Sequence, residues 1–395
     1  MNVMTEIEQR VLEVRDEMIR LRRDFHRHPE LGFHENRTAR IIAGYLRDLG
    51  LEVREGVGKT GVVGVLRGAA PGRTLMLRAD MDALPIQERS QTPYRSTNPG
   101  VMHACGHDGH MAILLGAARV LAGMKGRLRG QVKFVFQPAE EGAGGAREMI
   151  EDGVLENPGV DAVFGLHLVT ALPCGTLGWG KGLIMAAMDS FGLKVTGRSG
   201  HSSMPGEGVD AIRASARIIS ELHELNTATG GSGPSSLINI GTIRGGEASN
   251  VIAEEVELSG TVRSLNPEAR ASMKDAMLRI AGRVAREFGA GFDLDYRDGY
   301  PPVVNDGEMT DLLIRAAGDM PGVDGLLELP PLMASEDMAF YLREVPGCFF
   351  FLGAGNPGKG LTRPLHSSEF DFDESALPVG ASLFAGLAAN LPGME

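Results

Sequence analysis

Apolar residues recur at helical spacing near the start of the chain. Ile7, Val11, Val14, Met18, Leu21 and Phe25 fall on one face, which predicts an amphipathic helix over about residues 6–25. A second helix is expected from Asn36 to Leu49. Beyond it, short apolar runs alternate with helical patterns. Val62–Leu66, Thr74–Leu77, Val132–Phe136, Ala162–Leu166 and Cys348–Leu352 read as strands; Met111–Leu121 and the stretch after Glu141 read as helices. Continuously apolar strands separated by helices indicate an α/β fold with a mixed, mostly parallel sheet flanked by helices.

The pattern changes between residues 188 and 302. Ser190–Val195 reads as a strand, Val209–Leu225 as an amphipathic helix, and Ser236–Ile243 as a strand after the loop Gly230–Ser235. Val256–Val262, Pro267–Phe288 and Gly291–Tyr296 follow as strand, long helix and strand. This β-α-β-β-α-β order is the ferredoxin-like α+β pattern. Since α/β patterning resumes after Pro302, a small domain of residues 188–302 is expected inside a discontinuous one of residues 1–187 and 303–395. The Pro- and Gly-containing flanks Cys174–Gly182 and Asp298–Pro302 read as hinges.

Composition narrows the class. A chain of 395 residues is too long for one ordinary core, and its 43% hydrophobic and 23% charged residues describe a soluble globular protein. A net charge of −12 argues against a nucleic-acid partner held through phosphates. No apolar stretch is long enough to span a bilayer, and Met1–Arg23 contains no uninterrupted apolar run of the secretory kind. Cys105, Cys174 and Cys348 are too few and too dispersed for a disulfide framework, which fits a reducing compartment. A cytoplasmic location is therefore expected.

The chemistry concentrates in His103-Ala104-Cys105-Gly106-His107-Asp108-Gly109-His110. These eight residues hold three of the chain's ten histidines and one of its three cysteines. Imidazole, thiolate and carboxylate are the side chains that hold divalent transition metals. Other segments add donors at expected strand ends. Leu75-Met76-Leu77 runs into Arg78-Ala79-Asp80-Met81-Asp82, Phe134-Val135-Phe136 into Gln137-Pro138-Ala139-Glu140-Glu141, and Val163–Leu166 into His167. Phe349–Leu352 is followed, after a loop, by Pro364-Leu365-His366. In an open α/β sheet the site lies outside the carboxyl ends of the strands, so these segments aim at one place. Adjacent side chains diverge, so Glu140 and Glu141 divide into one general base and one ligand.

Two tempting features are set aside. Gly56-Val57-Gly58-Lys59-Thr60 ends like a phosphate-binding loop, but the first glycine of that motif would fall at Val53 and a strand follows where a helix is required. His26 and His28 sit at a helix end before Pro29, where a cation satisfying the last carbonyls is the default.

Taken together, the motifs resemble the M20 metallopeptidases, in particular the amidohydrolase branch with hippurate hydrolases, N-acetyldiaminopimelate deacetylases and auxin-conjugate hydrolases. The resemblance spans nearly the whole chain, from Arg23–Phe33 through Arg78–Pro85, His103–His110, Gln137–Glu141 and Gly165-Leu166-His167 to Gly200–Pro205, Asn250-Val251-Ile252, Ser335-Glu336-Asp337 and Leu365-His366. It implies a zinc-exopeptidase-like catalytic domain with an inserted lid or dimerisation domain. Cys105, His107, Glu141, His167 and His366 would ligate two divalent ions, Mn²⁺ or Zn²⁺, with Co²⁺ or Ni²⁺ as further options. Glu140 would be the general base, and Asp80 would orient a ligand.

The activity implied is hydrolysis of N-acyl-L-amino acids, with a dipeptidase or carboxypeptidase on the same scaffold, or a non-catalytic binding homologue, as alternatives. Cys105 stands where acidic and imidazole ligands dominate elsewhere in the family and marks the amidohydrolase branch. The resemblance also implies that His201 stabilises the oxyanion, reaching the site of a partner subunit in a homodimer. Asn250 and Arg263 are candidates for binding the substrate carboxylate.

Overall fold

The computed structural model describes residues 3–142, 144–227, 235–318 and 320–391. The strands are, in chain order, β1 (Glu52–Val57), β2 (Gly61–Arg67), β3 (Ala70–Asp80), β4 (Arg129–Gln137), β5 (Ala162–Pro173), β6 (Thr176–Trp179) and β7 (Gly182–Met185). There follow β8 (Ala187–Thr196), β9 (Ser236–Gly245), β10 (Glu255–Ser264), β11 (Gly291–Tyr300), β12 (Val303–Asn305), β13 (Gly325–Glu328) and β14 (Gly347–Gly355). The α-helices are α1 (Val3–Arg27), α2 (Asn36–Asp48), α3 (His107–Gly123), α4 (Gly145–Glu151), α5 (Ala211–Glu224), α6 (Pro267–Phe288), α7 (Gly307–Gly318), α8 (Ala339–Glu344) and α9 (Ala376–Asn390). Among the described residues no helix is long and apolar enough to cross a membrane.

The chain divides into two compact units. The first takes residues 1–182, 304–330 and 337–395; the second takes 183–303 and 331–336. The first is built on an eight-stranded sheet in the order β1-β2-β4-β3-β5-β14-β6-β13. Its central pairings, β4 with β3, β3 with β5 and β5 with β14, are parallel, whereas β1–β2, β2–β4 and β14–β6 are antiparallel. The expected mixed, mostly parallel sheet is thus present. The parallel centre brings the carboxyl ends of β3, β4 and β5 to one edge.

Beside the sheet, α3 packs against α1, α9 and β3. From His107 to Leu121 almost every residue of α3 is buried, the mark of a helix enclosed on all sides rather than amphipathic. Gly109 permits this closeness, because a Cβ there would lie 2.5 Å from Leu168 Cδ1 and 2.6 Å from Phe372 Cζ.

The second unit carries a four-stranded antiparallel sheet in the order β11-β8-β10-β9. Buried residues of α5 and α6 form one core with Phe191, Leu193, Val195, Val256 and Leu258 of its strands. Strand β8 buries every second residue, and β11 alternates exposed with half-buried positions over most of its length, as expected for a sheet with one covered face.

The structure departs from the sequence reading at several elements. The first expected hinge holds strand β6, and Glu52–Val57 and Gly325–Glu328 are edge strands that no apolar run announced. Strand β5 continues to Pro173, six residues past His167. Its ladder to β3 ends at Arg78 and Gly165, while its ladder to β14 continues. Most of the expected loop Gly230–Ser235 lies outside the described residues.

Candidate metal centre

The carboxyl edge of the parallel strands collects Cys105, His107, Glu140, Glu141, His167 and His366. Their donor atoms form overlapping groups, each within 4.8 Å: Cys105 with His107 and His167, Cys105 with Glu141 and His366, and His107 with Glu140 and Glu141. Cys105 Sγ lies 3.4 Å from Nε2 of His167, and His366 Nε2 lies 3.0 Å from Glu141 Oε1. Four segments distant in sequence therefore meet at one point.

Local backbone explains how each side chain is aimed. Gly106, with φ +87°, is the left-handed N-cap of α3 and turns the chain between Cys105 and His107. Ala139 and His366 have φ +52° and +66°, a region that non-glycine residues rarely occupy and that clusters at functional sites. His366 is held in its loop by its own N–H, which donates to Ala104 O at 2.8 Å.

Two of the imidazoles have their tautomer fixed by a carbonyl. Nδ1 of His107 donates to Asp82 O at 2.8 Å, and Nδ1 of His167 donates to Leu168 O at 2.8 Å. Both rings therefore present Nε2 as the electron-pair donor. Asp82 does more: its carboxylate accepts from the backbone N–H of Glu140 and of Glu141, each at 3.0 Å. Asp80, which the sequence reading uses to orient a ligand, lies 2.6 Å from Nδ1 of His110 and 3.7 Å from Nδ1 of His107. The hydrogen bond that holds His107 is thus accepted by the main chain of Asp82, two residues beyond Asp80.

The electrostatics suit a cation. Burial works against charge on His107, yet the Asp80 carboxylate outweighs it and holds that imidazole well above its ordinary pKa. Burial brings His167 down to about 3, leaving it neutral and ready to ligate. Hydrogen bonds with Cys105 and Glu141 push His366 up to about 10, and burial pushes the Cys105 thiol up. Among the described residues, Nε2 of His107 is buried with no hydrogen-bond partner, a costly state unless a ligand from outside satisfies it. A mixed S, N and O donor set around that atom fits divalent transition metals.

His201, Asn250 and Arg263 belong to the second unit. His201 is exposed and bridges to Val251; its Nδ1 accepts from the N–H of Ser203 at 3.1 Å, with Ser203 Oγ at 2.8 Å. Because a backbone N–H can only donate, the ring proton of neutral His201 sits on Nε2. Asn250 is exposed, and its carbonyl accepts from Ser202 N–H. Arg263 is half-buried, and Nη1 donates to Met333 O and Ser335 Oγ; burial draws its pKa down.

Sequence reasoning missed the buried cluster behind α3. Arg22 donates to Asp108 at 2.8 Å and to Asp371 at 2.7 Å, with its guanidinium between the rings of Tyr94 and Phe372. His26, in the last turn of α1, sets its ring nitrogens on carboxylates instead of helix carbonyls, lying between Asp108 (2.8 Å) and Glu88 (3.2 Å). His28 does satisfy a helix carbonyl, that of Asp24, at 2.9 Å.

Residues 76–390 match the model of Peptidase family M20/M25/M40. The chain belongs to that family. Among M20/M25/M40 relatives, it is 41% identical to thermostable carboxypeptidase 1 of Saccharolobus solfataricus, over 99% of both chains. It is 38% identical to the N-acetylcysteine deacetylase of Bacillus subtilis, over 94% of this chain and 96% of that one. Among solved structures, the Bacillus subtilis YXEP protein, a dinuclear metal binding peptidase of the M20 family, superposes with a TM-score of 0.81. That pair is 36% identical over 95% and 98% of the two chains. This M20/M25/M40 member is accordingly a metal-dependent hydrolase.

Proposed function

We propose that the protein hydrolyses the amide bond of N-acyl-L-amino acids, releasing a carboxylic acid and the free amino acid. The observation that carries the reading is the donor cluster of Cys105, His107, Glu141, His167 and His366 with Glu140 beside it. These five residues hold two divalent ions in this reading, Mn²⁺ or Zn²⁺. When bound, such ions polarise the scissile carbonyl and lower the pKa of water towards about 7.

The protein's own groups do the rest. Glu140, adjacent in sequence to a ligand, takes the proton from the attacking water and passes it to the leaving amine. Nε2–H of His201 donates to the carbonyl oxygen as negative charge develops there. Arg263 and Asn250 bind the free carboxylate of the amino acid; the half-buried guanidinium of Arg263, which bonds a carbonyl and a hydroxyl, supports that role. Asp80 acts behind the ligands.

His201 reaches the site of a second copy in this reading, the assembly being a homodimer through the inserted domain. Strand β9, an edge of the four-stranded sheet with Ile243 56% exposed, supports such a contact. The spacing of the cysteines supports a reducing compartment such as the cytoplasm.

The similarity to a carboxypeptidase favours one second reading. A carboxypeptidase cuts a chemically equivalent bond, the amide whose nitrogen belongs to a residue with a free carboxylate. A panel of acetyl- and benzoyl-amino acids, N-blocked dipeptides and free-amine dipeptides, assayed on chelator-treated protein resupplied with Mn²⁺, Zn²⁺ or Co²⁺, separates the readings. The proposal expects N-acyl amino acids to lead. Equal or faster cleavage of free-amine dipeptides defeats it.

A further inference from the structure

His110 is the third histidine of the segment His103–His110, and its position invites a role as ligand. Its hydrogen bonds forbid one. The ladder between β3 and β5 ends at Arg78 and Gly165, so beyond that point the N–H groups on this side of β5 need another acceptor. The N–H of Leu168 donates to Nε2 of His110 at 2.9 Å. A backbone N–H can only donate, so Nε2 is the acceptor and the ring proton resides on Nδ1. That proton is shared with Asp80 Oδ1 at 2.6 Å, and Asp80 Oδ2 accepts from Nη1 of Arg78 at 2.9 Å. Both ring nitrogens are therefore committed.

We infer that His110 is a positioning residue for His167, fixing the peptide between His167 and Leu168 so that Nε2 of His167 faces the metal centre. The ring of His110 packs edge-on against that of His167, with centroids 4.7 Å apart at 71°, and is itself buried. It replaces the strand that β3 no longer provides. Arg78 anchors the far end of the relay: it is fully buried and also donates to Gln137 Oε1 at 2.8 Å and to Asp337 Oδ1 at 2.9 Å. His167 thus inherits its aim from the core. The inference rests on reading His167 as a ligand.

The test compares three substitutions whose geometry differs. His110→Gln can still place an acceptor before the Leu168 N–H. His110→Asn reaches only towards Asp80, and His110→Phe keeps the ring without either bond. Metal affinity is measured by titrating chelator-treated protein with Zn²⁺ or Mn²⁺, beside kcat and KM, with circular dichroism and denaturant midpoints as controls of folding. The expected result is an affinity and kcat loss of about 10–100-fold for His110→Asn and His110→Phe. KM stays nearly unchanged and His110→Gln recovers most of the loss. Wild-type affinity in His110→Asn, or equal losses in the Asn and Gln variants, overturns the inference. A wild type that takes up no metal overturns it together with the proposed function. A wild type that binds metal but cleaves no N-acyl amino acid defeats only the substrate reading, and the metal titrations still decide His110.

Discussion

The main-chain carbonyl of Asp82 accepts a hydrogen bond from Nδ1 of His107 at 2.8 Å. The same residue's carboxylate accepts from the N–H groups of Glu140 and Glu141. One buried side chain therefore sets the aim of the adjacent carboxylates, and its backbone sets a tautomer. Asp82→Asn keeps the size but turns an NH₂ towards one of those N–H groups. We expect kcat to fall by about 10–100-fold. Steady-state kinetics at matched metal content measures it, and wild-type kcat removes Asp82 from the positioning machinery.

Glu140→Gln preserves shape and removes the base. Turnover should drop by at least about 10²-fold, the usual contribution of a positioned general base, while metal content by elemental analysis stays at the wild-type level. Parallel loss of metal would instead make Glu140 a ligand.

Cys105→Ala deletes the donor shared by two of the groups, that with His107 and His167 and that with Glu141 and His366. Bound metal per chain is expected to fall, with the remaining ion held more weakly. Full retention of both ions at wild-type affinity strikes Cys105 from the ligand set.

Metal affinity should rise with pH. In the metal-free protein His366 is held at about 10 by its hydrogen bonds with Cys105 and Glu141, and His107 well above its ordinary value by the Asp80 carboxylate, so at neutral pH an incoming cation has to displace a proton from each. His167, at about 3, has no proton to lose. The sign follows: affinity increases as pH climbs from about 6 towards 10, with proton release on binding. Calorimetric titration in buffers of differing ionisation enthalpy reads that release, and a pH-independent affinity contradicts the assignment of His366.

Arg22 and Asp108 are both buried and joined at 2.8 Å. Arg22→Met leaves the Asp108 carboxylate without its guanidinium, and breaking a buried pair in this way costs about 3–5 kcal/mol. Denaturant unfolding of the metal-free protein checks it. A change no larger than that of a surface pair, about 0–1 kcal/mol, shows that His26 and the backbone suffice for Asp108.

Much of the fold is legible from pattern alone. Central strands such as Val132–Phe136 and Ala162–Leu166 announce themselves because both faces are buried and, Lys133 apart, every position is apolar or glycine. Edge strands such as Glu52–Val57, with mostly exposed residues, carry no such signal. The donor residues are legible for a related reason: Cys105, His107, Glu140, Glu141 and His167 are polar groups set beside runs that otherwise exclude them.

What the sequence determined by itself is the chemistry: which side chains can bind a metal, which strands carry them, and the family those motifs resemble. Only the tertiary structure decided how these groups are held. Nothing local distinguishes Asp80 from Asp82 or His107 from His110. Asp82 bonds the N–H of Glu140 beyond β4, and His110 bonds the N–H of Leu168, which is left open because the ladder between β3 and β5 stops at Arg78 and Gly165. Hydrogen bonds act over about 3 Å in space and are blind to separation along the chain, so a residue's partner is a property of the packed sheet rather than of its neighbours in sequence.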